Sequence, residues 1–444
     1  MSNESTPSVA LHTLGCRLNH YETEAIREKF VAEGFRVVPF TSEADVYVVN
    51  TCTVTGQADY QARQTLRRVI RQSPDSFVVA TGCYAQTDAQ ALLDIEGVNL
   101  VLGNAEKADI VRYVTEGRRT AQPSAIVTRR SDLSSFDESL DVHAFADHTR
   151  ALLKIQDGCD QFCSFCIIPW ARGRHRSRSA NSIDRELASF QAGGFREVVL
   201  TGVHLGEYGS DLRPVSSLCE TIETILSRPY PARLRLSSIW PTAVTPSLVG
   251  FMTRHQPRFC RYLHLAVQHA DNEILAAMRR PYTVEDTDTV IRQVVRDIPG
   301  ICLGADIMTG FPGETSAHFD RMYRWLEDAP LAYLHVFSYS PRKHTLAARM
   351  PGQVNPRQTK ERSLLLRRLS ESKTEAFYRS FVGSEVEVLV ETSEREGRLS
   401  GRTDNYVRVE FEGPDSLMGH TVVVRLTEAN GQRAVGVQPP VERR

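Results

Sequence analysis

Three closely spaced cysteines are the residues of this chain best suited to hold a metal centre. Cys159, Cys163 and Cys166 form the pattern C-x3-C-x2-C, and Phe165 stands directly before the last of them. A structural zinc site needs four nitrogen or sulfur ligands, and no fourth cysteine or histidine follows at short range. Three thiolates suit a [4Fe–4S] cluster that leaves one iron open for a substrate. We therefore predict such a cluster, rather than a bare zinc site or a disulfide.

The elements around a second group of cysteines predict an α/β domain with a parallel sheet. Residues 8–116 alternate between strand-like and helix-like patterns. The apolar run 45–50 suits a parallel strand that is buried on both faces. The predicted strands are Val9–Leu14, Asp45–Asn50, Phe77–Thr81 and Val98–Leu102. The predicted helices are Tyr21–Ala32, Gln57–Arg71, Gln86–Asp94 and Lys107–Val114.

Cys16, Cys52 and Cys83 each lie just past the carboxyl end of one of these predicted strands. Open α/β sheets bind their ligands at that edge. The alternative is three unrelated core cysteines, but these would more often fall inside the strands, because free cysteine is commonly buried. The placement predicts a second [4Fe–4S] cluster with three thiolate ligands and one open iron.

After a connector at residues 118–148, the alternation of strands and helices resumes and predicts a partial (βα)6 barrel of the TIM type. The loop of Cys159, Cys163 and Cys166 follows its first strand, and chemistry belongs at the C-terminal mouth of such a barrel. The predicted strands are Leu152–Gln156, Glu197–Thr201, Leu234–Ser238, Tyr262–Ala266, Cys302–Ile307 and Tyr333–Phe337. The predicted helices include Ile183–Ala192, Val215–Leu226, Asn272–Met278 and Glu285–Asp297.

Several other polar residues near the barrel mouth have two interpretations. The arginine-rich run 172–178 is expected to be a solvated face, or else to bind RNA phosphates or a cofactor. The glycine-rich run 201–206 follows the second strand and either lets the backbone approach a ligand closely or forms an ordinary tight turn. Four histidines near strand ends are interpreted as structural, and three cysteines as ordinary buried residues. These residues are His204, His264, His269, His335, Cys219, Cys260 and Cys302.

The C-terminal region predicts a long helix at Arg357–Phe381 followed by a small β-barrel. Arginine and tyrosine side chains in this barrel are of the kind that binds RNA backbone and bases. The predicted strands are Glu385–Val390, Gly397–Arg402, Tyr406–Phe411, Thr421–Leu426 and Ala434–Val437. The candidate RNA-binding residues are Arg398, Arg402, Tyr406, Arg408 and Arg425.

Length and composition indicate an ordinary globular protein of about three domains. The 444 residues are 41% hydrophobic and 24% charged, with a net charge of −1, so any RNA contact must use local basic patches. The polar start has no signal pattern, and no apolar run is long enough to span a membrane. Nine cysteines without an export signal indicate metal binding in a reducing compartment. We expect a cytoplasmic protein.

The stretch 157–170 resembles the signature of the radical S-adenosylmethionine (SAM) enzymes. In that superfamily the open iron binds the amino and carboxylate groups of SAM. An electron from the cluster then cleaves SAM to methionine and a 5′-deoxyadenosyl radical. From Thr13 to about residue 437, the chain resembles the methylthiotransferases. These enzymes combine an N-terminal three-cysteine domain, a radical SAM barrel and a small RNA-binding TRAM domain. The resemblance implies domains at 1–117, 149–380 and 381–444.

Within this family the chain is most similar to the tRNA branch that acts on N6-threonylcarbamoyladenosine (t6A) at position 37. The resemblance implies addition of a methylthio group to C2 of the modified adenine. One SAM would methylate the sulfur, a second would provide the radical, and the Cys16, Cys52 and Cys83 cluster would carry the sulfur. The stretches that carry the match are 13–24, 44–55, 156–173, 278–283 and 350–354.

Three positions depart from the pattern of this branch. Trp240 stands where glutamate is usual, His269 lies in a run that departs from Gln-Ser-Gly-Ser-Asp, and His344 replaces a glycine. The departures lie at the barrel mouth and concern SAM or substrate contacts. All six cluster cysteines are present.

The barrel mouth also offers candidate SAM contacts. These are Phe165, Thr201, Gly202, Ser238 and Asp306. The expected partners are the anticodon loop of t6A-bearing tRNA, an electron donor such as flavodoxin or ferredoxin, and a sulfur source. No residue is singled out as a general base.

Three other functions fit the same residues. Two are methylthiotransferases, one for isopentenyladenosine in tRNA and one for an aspartate of a ribosomal protein. The third is an RNA-binding protein whose clusters are structural or redox-sensing. The placement of both cysteine triads at sheet and barrel mouths argues against this last alternative.

Overall fold

The computed structural model describes residues 6–120, 122–143, 145, 149–228, 232–393 and 397–439. The polar start at residues 1–5, which contributed to the expectation of no signal sequence, lies outside the described residues. Parts of the predicted connector and the last five residues also lie outside them. None of the helices described is long and apolar enough to cross a membrane.

The N-terminal domain is built on a parallel sheet, as predicted, with six strands in the order β2-β1-β3-β4-β5-β6. The central strands β3 and β4 are buried at every residue, which explains their apolar runs. The strands are β1 Ser8–Thr13, β2 Arg36–Val37, β3 Val46–Thr51, β4 Phe77–Gly82, β5 Leu100–Leu102 and β6 Ser124–Ile126. The helices are α1 Arg17–Ala32, α2 Gly56–Gln72, α3 Cys83–Thr87, α4 Ala89–Leu93 and α5 Ile110–Thr120.

Three helices of this domain differ from the predictions. The helix predicted at 107–114 is a 3-10 turn at Ala105–Asp109 followed by α5. The helix predicted at 86–94 is two short helices, because Asp88 between them has the non-helical dihedral angles φ −154° and ψ 63°. Helix α1 begins at Arg17, earlier than predicted, and the extended Cys16 is its N-cap residue. Leu18 and Asn19 are buried in this first turn. Their burial depends on surrounding loops, which the local helical pattern does not show.

The middle of the chain folds into the predicted open barrel of parallel strands. Two sheets, β11-β10-β7 and β12-β13-β14-β15, are linked by the nearly continuous segment β11–β12. The strands are β7 Arg150–Lys154, β8 Gln156–Asp157, β9 Arg176–Ser177, β10 Glu197–Thr201, β11 Arg233–Leu236, β12 Ser238–Ile239, β13 Tyr262–Gln268, β14 Cys302–Thr309 and β15 Tyr333–Ser338. The helices are α6 Ile168–Arg172, α7 Ala180–Ala192, α8 Leu218–Ser227, α9 Pro246–Arg254, α10 Asn272–Ala277, α11 Val284–Asp297 and α12 Ser316–Asp328.

The C-terminal part is a long helix followed by a closed five-stranded barrel, also as predicted. Helix α13, Pro356–Arg379, packs along β15, and its Tyr378 reaches the apolar core of the small barrel. The strands are β16 Glu385–Ser393, β17 Arg398–Thr403, β18 Arg408–Glu412, β19 Thr421–Ala429 and β20 Ala434–Val437.

Arginine side chains of the open barrel fasten the small barrel against it. Arg235 donates a hydrogen bond to the Asp404 carbonyl oxygen at 2.9 Å, and Arg261 pairs with the Asp404 carboxylate at 2.7 Å. Glu197 accepts from Arg235 at 2.6 Å and is fully buried, so the guanidinium is held on both sides. The small barrel therefore has a defined position at the N-terminal ends of the strands of the larger one.

Candidate active site

Cys16, Cys52 and Cys83 follow the neighbouring strands β1, β3 and β4, so the sheet brings them to one edge. Burial raises the pKa of Cys52 to about 12, and the adjacent Cys83 and Cys16 thiols act in the same direction. Gly15 has a φ of +103°, and a Cβ atom there would lie 2.8 Å from the Cys52 sulfur. Glycine therefore permits the close approach of the Cys16 loop to the other two sulfurs.

A buried network of charges lies next to this triad. Arg172 donates to Glu22 at 2.7 Å, to Asp157 at 3.1 Å and to the Asn19 side chain at 2.7 Å. Lys154 pairs with both carboxylates, at 2.8 Å and 2.7 Å. Burial alone would raise the pKa of Glu22, but the neighbouring cations hold this pKa well below its usual range. The network contains the cations Lys107, Lys154, Arg172 and Arg176, and the carboxylates Glu22 and Asp157.

The excess of cations fits a negatively charged cluster on the triad. Three thiolates outweigh the positive charge of an iron–sulfur core. Burial raises the pKa of the Cys83 thiol, whereas Arg172 and Lys107 act to lower it and so favour the thiolate. The buried Nε–H of Arg172 has no acceptor among the described residues. The triad and its surroundings therefore suit an anionic [4Fe–4S] centre.

The expectation that the run 172–178 forms a solvated face is wrong. Arg172, Arg176 and Arg178 are buried, while Arg174 has a side chain that is 68% exposed. Arg178 pairs with Glu186 and donates to the Tyr21 hydroxyl at 3.2 Å, which joins the open barrel to α1. The buried arginines face carboxylates of both domains, so they are not positioned to bind RNA phosphates.

Cys159, Cys163 and Cys166 lie on the single loop between β8 and α6. The Cys166 N–H donates to the Cys163 carbonyl oxygen at 3.0 Å, which closes the loop into a tight turn. Burial raises the pKa of Cys166 to about 12, with Cys163 and Cys159 acting in the same direction. Arg280 is buried and its Nη1 donates to the Cys163 sulfur at 3.4 Å. The three sulfurs thus converge beside a cation, as an anionic cluster requires.

The departure at Trp240 bears on this cation. The guanidinium carbon of Arg280 lies 3.5 Å from the centre of the Trp240 ring, a cation–π contact. None of the described carboxylates forms an ion pair with Arg280. An aromatic face in place of glutamate leaves the positive charge of Arg280 available to the Cys163 sulfur. Phe165 packs with Trp240 in the same cluster of side chains.

The other two departures are explained in part. His344 has a φ of +74°, the left-handed region that favours glycine, and its ring stacks on Trp170 at 5.0 Å. The stacking explains how histidine occupies a glycine-type backbone. His269 is fully buried, and its Nε2 lies 3.5 Å from Glu314. Nothing in the structure explains why histidine stands at this position.

A cavity of about 770 Å³ lies inside the open barrel. The Cys16 loop covers one end of it, and α13 and the small barrel close its side. Four of the five candidate SAM residues line it, whereas Phe165 lies outside, on the loop that carries Cys163. The four are Thr201, Gly202, Ser238 and Asp306. The buried Ser237 Oγ on the same wall has no hydrogen-bond partner among the described residues, which suits a polar ligand.

A chain of hydrogen bonds that sequence reasoning missed runs along the cavity wall. Asp306 lies between His335 Nδ1 at 2.7 Å and His264 Nε2 at 3.0 Å. His264 Nδ1 is 2.7 Å from the Tyr333 hydroxyl, which is 2.8 Å from that of Tyr262. These residues lie on the adjacent strands β13, β14 and β15, and the strand register brings their side chains together. The sequence alone does not show this register. His264 and His335 therefore belong to the site, whereas His204 stacks on Trp240.

The cavity also brings together arginine and tyrosine side chains from distant parts of the chain. Arg17 lines it from α1, and Arg402 and Tyr406 line it from the small barrel. Burial alone would raise the pKa of Tyr406, yet Arg402, Arg150 and Arg17 bring it below its ordinary value. The predicted RNA-binding set is therefore divided, because Arg398 and Arg425 lie exposed on the outside of the small barrel.

Comparisons with known proteins agree with this architecture. Residues 8–103 match the uncharacterized protein family UPF0004, residues 153–326 the radical SAM superfamily, and residues 379–437 the TRAM domain. The threonylcarbamoyladenosine tRNA methylthiotransferase MtaB of Bacillus subtilis (strain 168) is 38% identical, over 95% of this chain and 94% of its own. The chain belongs to the radical SAM methylthiotransferase family. This membership makes it a transferase that uses SAM and a [4Fe–4S] cluster, so the interpretation as a non-catalytic RNA-binding protein is wrong.

Two further comparisons bear on substrate and fold. The tRNA-2-methylthio-N(6)-dimethylallyladenosine synthase of Geobacter metallireducens is 31% identical, over 96% of this methylthiotransferase and 97% of its own chain. The radical SAM methyltransferase TsrM of Kitasatospora setae, solved with cobalamin and a [4Fe–4S] cluster, superposes with a TM-score of 0.58. That superposition has 18% identity and covers 78% of this chain and 74% of TsrM, so it supports the fold alone.

Proposed function

We propose that this methylthiotransferase converts t6A at position 37 of tRNA to 2-methylthio-t6A. The supporting observation is that a single cavity joins Cys16, four of the candidate SAM residues and Arg17, a cation that forms no ion pair with any described carboxylate. A cation in this cavity suits t6A, because the threonylcarbamoyl group carries a carboxylate. The 38% identity to a threonylcarbamoyladenosine enzyme, against 31% for a dimethylallyladenosine enzyme, supports the same substrate.

The protein would use two clusters with separate tasks. Cys159, Cys163 and Cys166 would hold the one that binds SAM, and Cys16, Cys52 and Cys83 the one that carries sulfur. When bound, the clusters supply an electron for the cleavage of SAM and an open iron for the sulfur. Overall, the C2 hydrogen leaves in 5′-deoxyadenosine and is replaced by sulfur. The methyl group comes from a second SAM, which leaves as S-adenosylhomocysteine.

The residues of the chain itself bind, orient and shield the reactants. Thr201, Gly202, Ser238 and Asp306 would contact SAM from the cavity wall, and Phe165 would contact it from the loop that carries Cys163. His264 and His335 hold the Asp306 carboxylate in place through the hydrogen bonds described above. The Cys16 loop and α13 line the cavity and would surround the bound reactants.

The domains would divide the work of tRNA modification. Residues 1–117 would carry the sulfur-bearing cluster and 149–380 would carry SAM. Residues 118–148 would connect them, and they also add the strand β6 to the N-terminal sheet. Residues 381–444 would bind the anticodon stem, with Arg398 and Arg425 exposed toward phosphates. An electron donor such as flavodoxin or ferredoxin and a sulfur source would act with the enzyme in the cytoplasm.

A second candidate substrate is isopentenyladenosine at the same tRNA position, which the similarity to a dimethylallyladenosine synthase favours. Mass spectrometry of tRNA nucleosides from a deletion strain distinguishes the two. We expect loss of 2-methylthio-t6A and its return when the gene is restored. A strain that keeps 2-methylthio-t6A but loses the isopentenyl counterpart would show that the t6A assignment is wrong.

A further inference from the structure

Two arginines line the cavity, and they differ in how their charge is balanced. Arg402 has a side chain that is 28% exposed and lies 3.6 Å from Glu391. Arg17 is half-buried, and none of the carboxylates in the described part of the chain forms an ion pair with it. A half-buried guanidinium without a counter-ion is costly, so it is expected to meet an anion when the cavity is filled.

The position of Arg17 links this cation to the reacting end of the cavity. Arg17 is the first residue of α1 and directly follows Cys16. The His20 N–H donates to the Cys16 carbonyl oxygen at 3.1 Å, so regular helix begins at this point and holds the backbone of Arg17. Arg17 lines the same cavity as Tyr262 and Tyr406, and its positive charge acts to lower the pKa of both tyrosines.

We propose that Arg17 binds the carboxylate of the threonylcarbamoyl group and so selects t6A over uncharged N6-substituted adenosines. This role of Arg17 rests on the proposed function, because it assumes that t6A is the substrate. Arginine suits this task because its planar fork of N–H donors matches a carboxylate in two parallel hydrogen bonds.

The geometry of the nucleobase agrees with this placement. C2 and the N6 substituent flank N1 on the same edge of the purine, so a group that contacts the substituent must lie near the incoming sulfur. Arg17 is adjacent in sequence to Cys16, the proposed ligand of the sulfur-bearing cluster. An apolar isopentenyl group would leave the guanidinium unpaired in a covered cavity, and this cost disfavours it.

The test pairs a change in the enzyme with a change in the substrate. Anticodon stem-loops carrying t6A or its methyl ester are offered to the reconstituted wild type and to Arg17→Gln. For the wild type we expect a loss of about 10- to 100-fold in kcat/KM and in affinity when the acid becomes the ester, as for one charged hydrogen-bonded pair. For Arg17→Gln the two stem-loops should be equivalent, and Arg17→Lys should restore part of the discrimination.

Two measurements distinguish a role of Arg17 in substrate binding from a purely structural role. The affinity of each variant for the stem-loops is measured by fluorescence anisotropy without turnover. The iron content of Arg17→Gln is measured to show that the variant still holds its clusters. Arg27→Gln, on the same helix and paired with Glu24 at 2.8 Å, is the matched control and should keep full discrimination.

Three outcomes overturn the assignment or separate it from the proposed function. If Arg17→Gln lowers kcat/KM and affinity equally for the acid and the ester stem-loops, Arg17 does not bind the carboxylate. If Arg402→Gln abolishes the discrimination and Arg17→Gln keeps it, Arg402 is the residue that binds the carboxylate. If the wild type modifies isopentenyladenosine and not t6A, the proposed function itself fails, whichever arginine is changed.

Discussion

The sulfur atoms of the two cysteine triads are brought together in different ways. Cys159, Cys163 and Cys166 lie on one loop, and backbone hydrogen bonds within that loop already shape it. Cys16, Cys52 and Cys83 come from three strands and converge because the strands are neighbours in a parallel sheet. The first arrangement is local and the second depends on a folded domain. A local triad can be recognised by spacing alone, whereas a dispersed one requires the order of the strands.

The cations beside the two triads also differ. Arg172 is bound by the carboxylates of Glu22 and Asp157, within a network that joins two domains. Arg280 is enclosed by Trp240, Tyr282 and the Cys163 sulfur, with no described carboxylate in an ion pair. Arg172 therefore holds the two domains together as well as placing positive charge beside its triad, whereas Arg280 acts mainly on the loop that carries Cys163.

The largest effect should come from removing single ligands, which separates the tasks of the two triads. Cys163→Ala should abolish 5′-deoxyadenosine formation and all methylthiolated product. Cys52→Ala should keep SAM cleavage and lose the product, because the sulfur-bearing iron is gone. Iron content should be about two clusters in the wild type and about one in each variant. Normal product from Cys52→Ala would remove the sulfur-carrying role of the N-terminal triad.

The next largest effect should follow Arg172→Met, which removes the charged hydrogen bonds of Arg172 to the two buried carboxylates Glu22 and Asp157. We expect a loss of about 3–5 kcal/mol in the free energy of unfolding, measured by denaturant titration of the apoprotein. Arg174→Met, on the same run but exposed, is the control and should change stability by less than about 0.5 kcal/mol. Equal stability of the two variants would show that the network does not hold the domains together.

Arg280→Met should cost less stability than Arg172→Met, since no described carboxylate loses its partner. The loss should be about 1–3 kcal/mol, from the hydrogen bonds to the Tyr282 hydroxyl and the Ala266 carbonyl oxygen. The reconstituted variant should instead retain less iron on the Cys163 loop, as measured in a Cys52→Ala background. Full iron retention there would contradict a role of Arg280 beside the sulfur.

The smallest effect is expected for Trp240→Phe, which keeps an aromatic face under Arg280 and reduces its size. The expected loss is about 1–2 kcal/mol, from a smaller cation–π contact and a small cavity. Thermal unfolding of the apoprotein should show it as a small decrease in Tm. Trp240→Leu should cost more, because it removes the aromatic face altogether, and a smaller loss for leucine would argue against the cation–π contact.

Local patterns accounted for most of the architecture. The spacing of Cys159, Cys163 and Cys166, the apolar runs of β3 and β4, and the alternation of the C-terminal strands are properties of short segments. The type of element that such a segment forms depends largely on its own residues. The parallel sheet, the open barrel and the small β-barrel were therefore predictable. The early start of α1 and the break at Asp88 were not, since the first depends on burial by other loops and the second on one residue's dihedral angles.

The sequence by itself determined the cysteine ligand patterns, the parallel sheet, the open barrel and the small β-barrel. Only the tertiary structure decided that Arg172 is buried against Glu22, that His264 and His335 share Asp306, and that Arg17 faces the cavity. The reason is that a long charged side chain finds its partner among residues that are distant in sequence. Whether that side chain meets water, a carboxylate or a substrate depends on which elements pack around it.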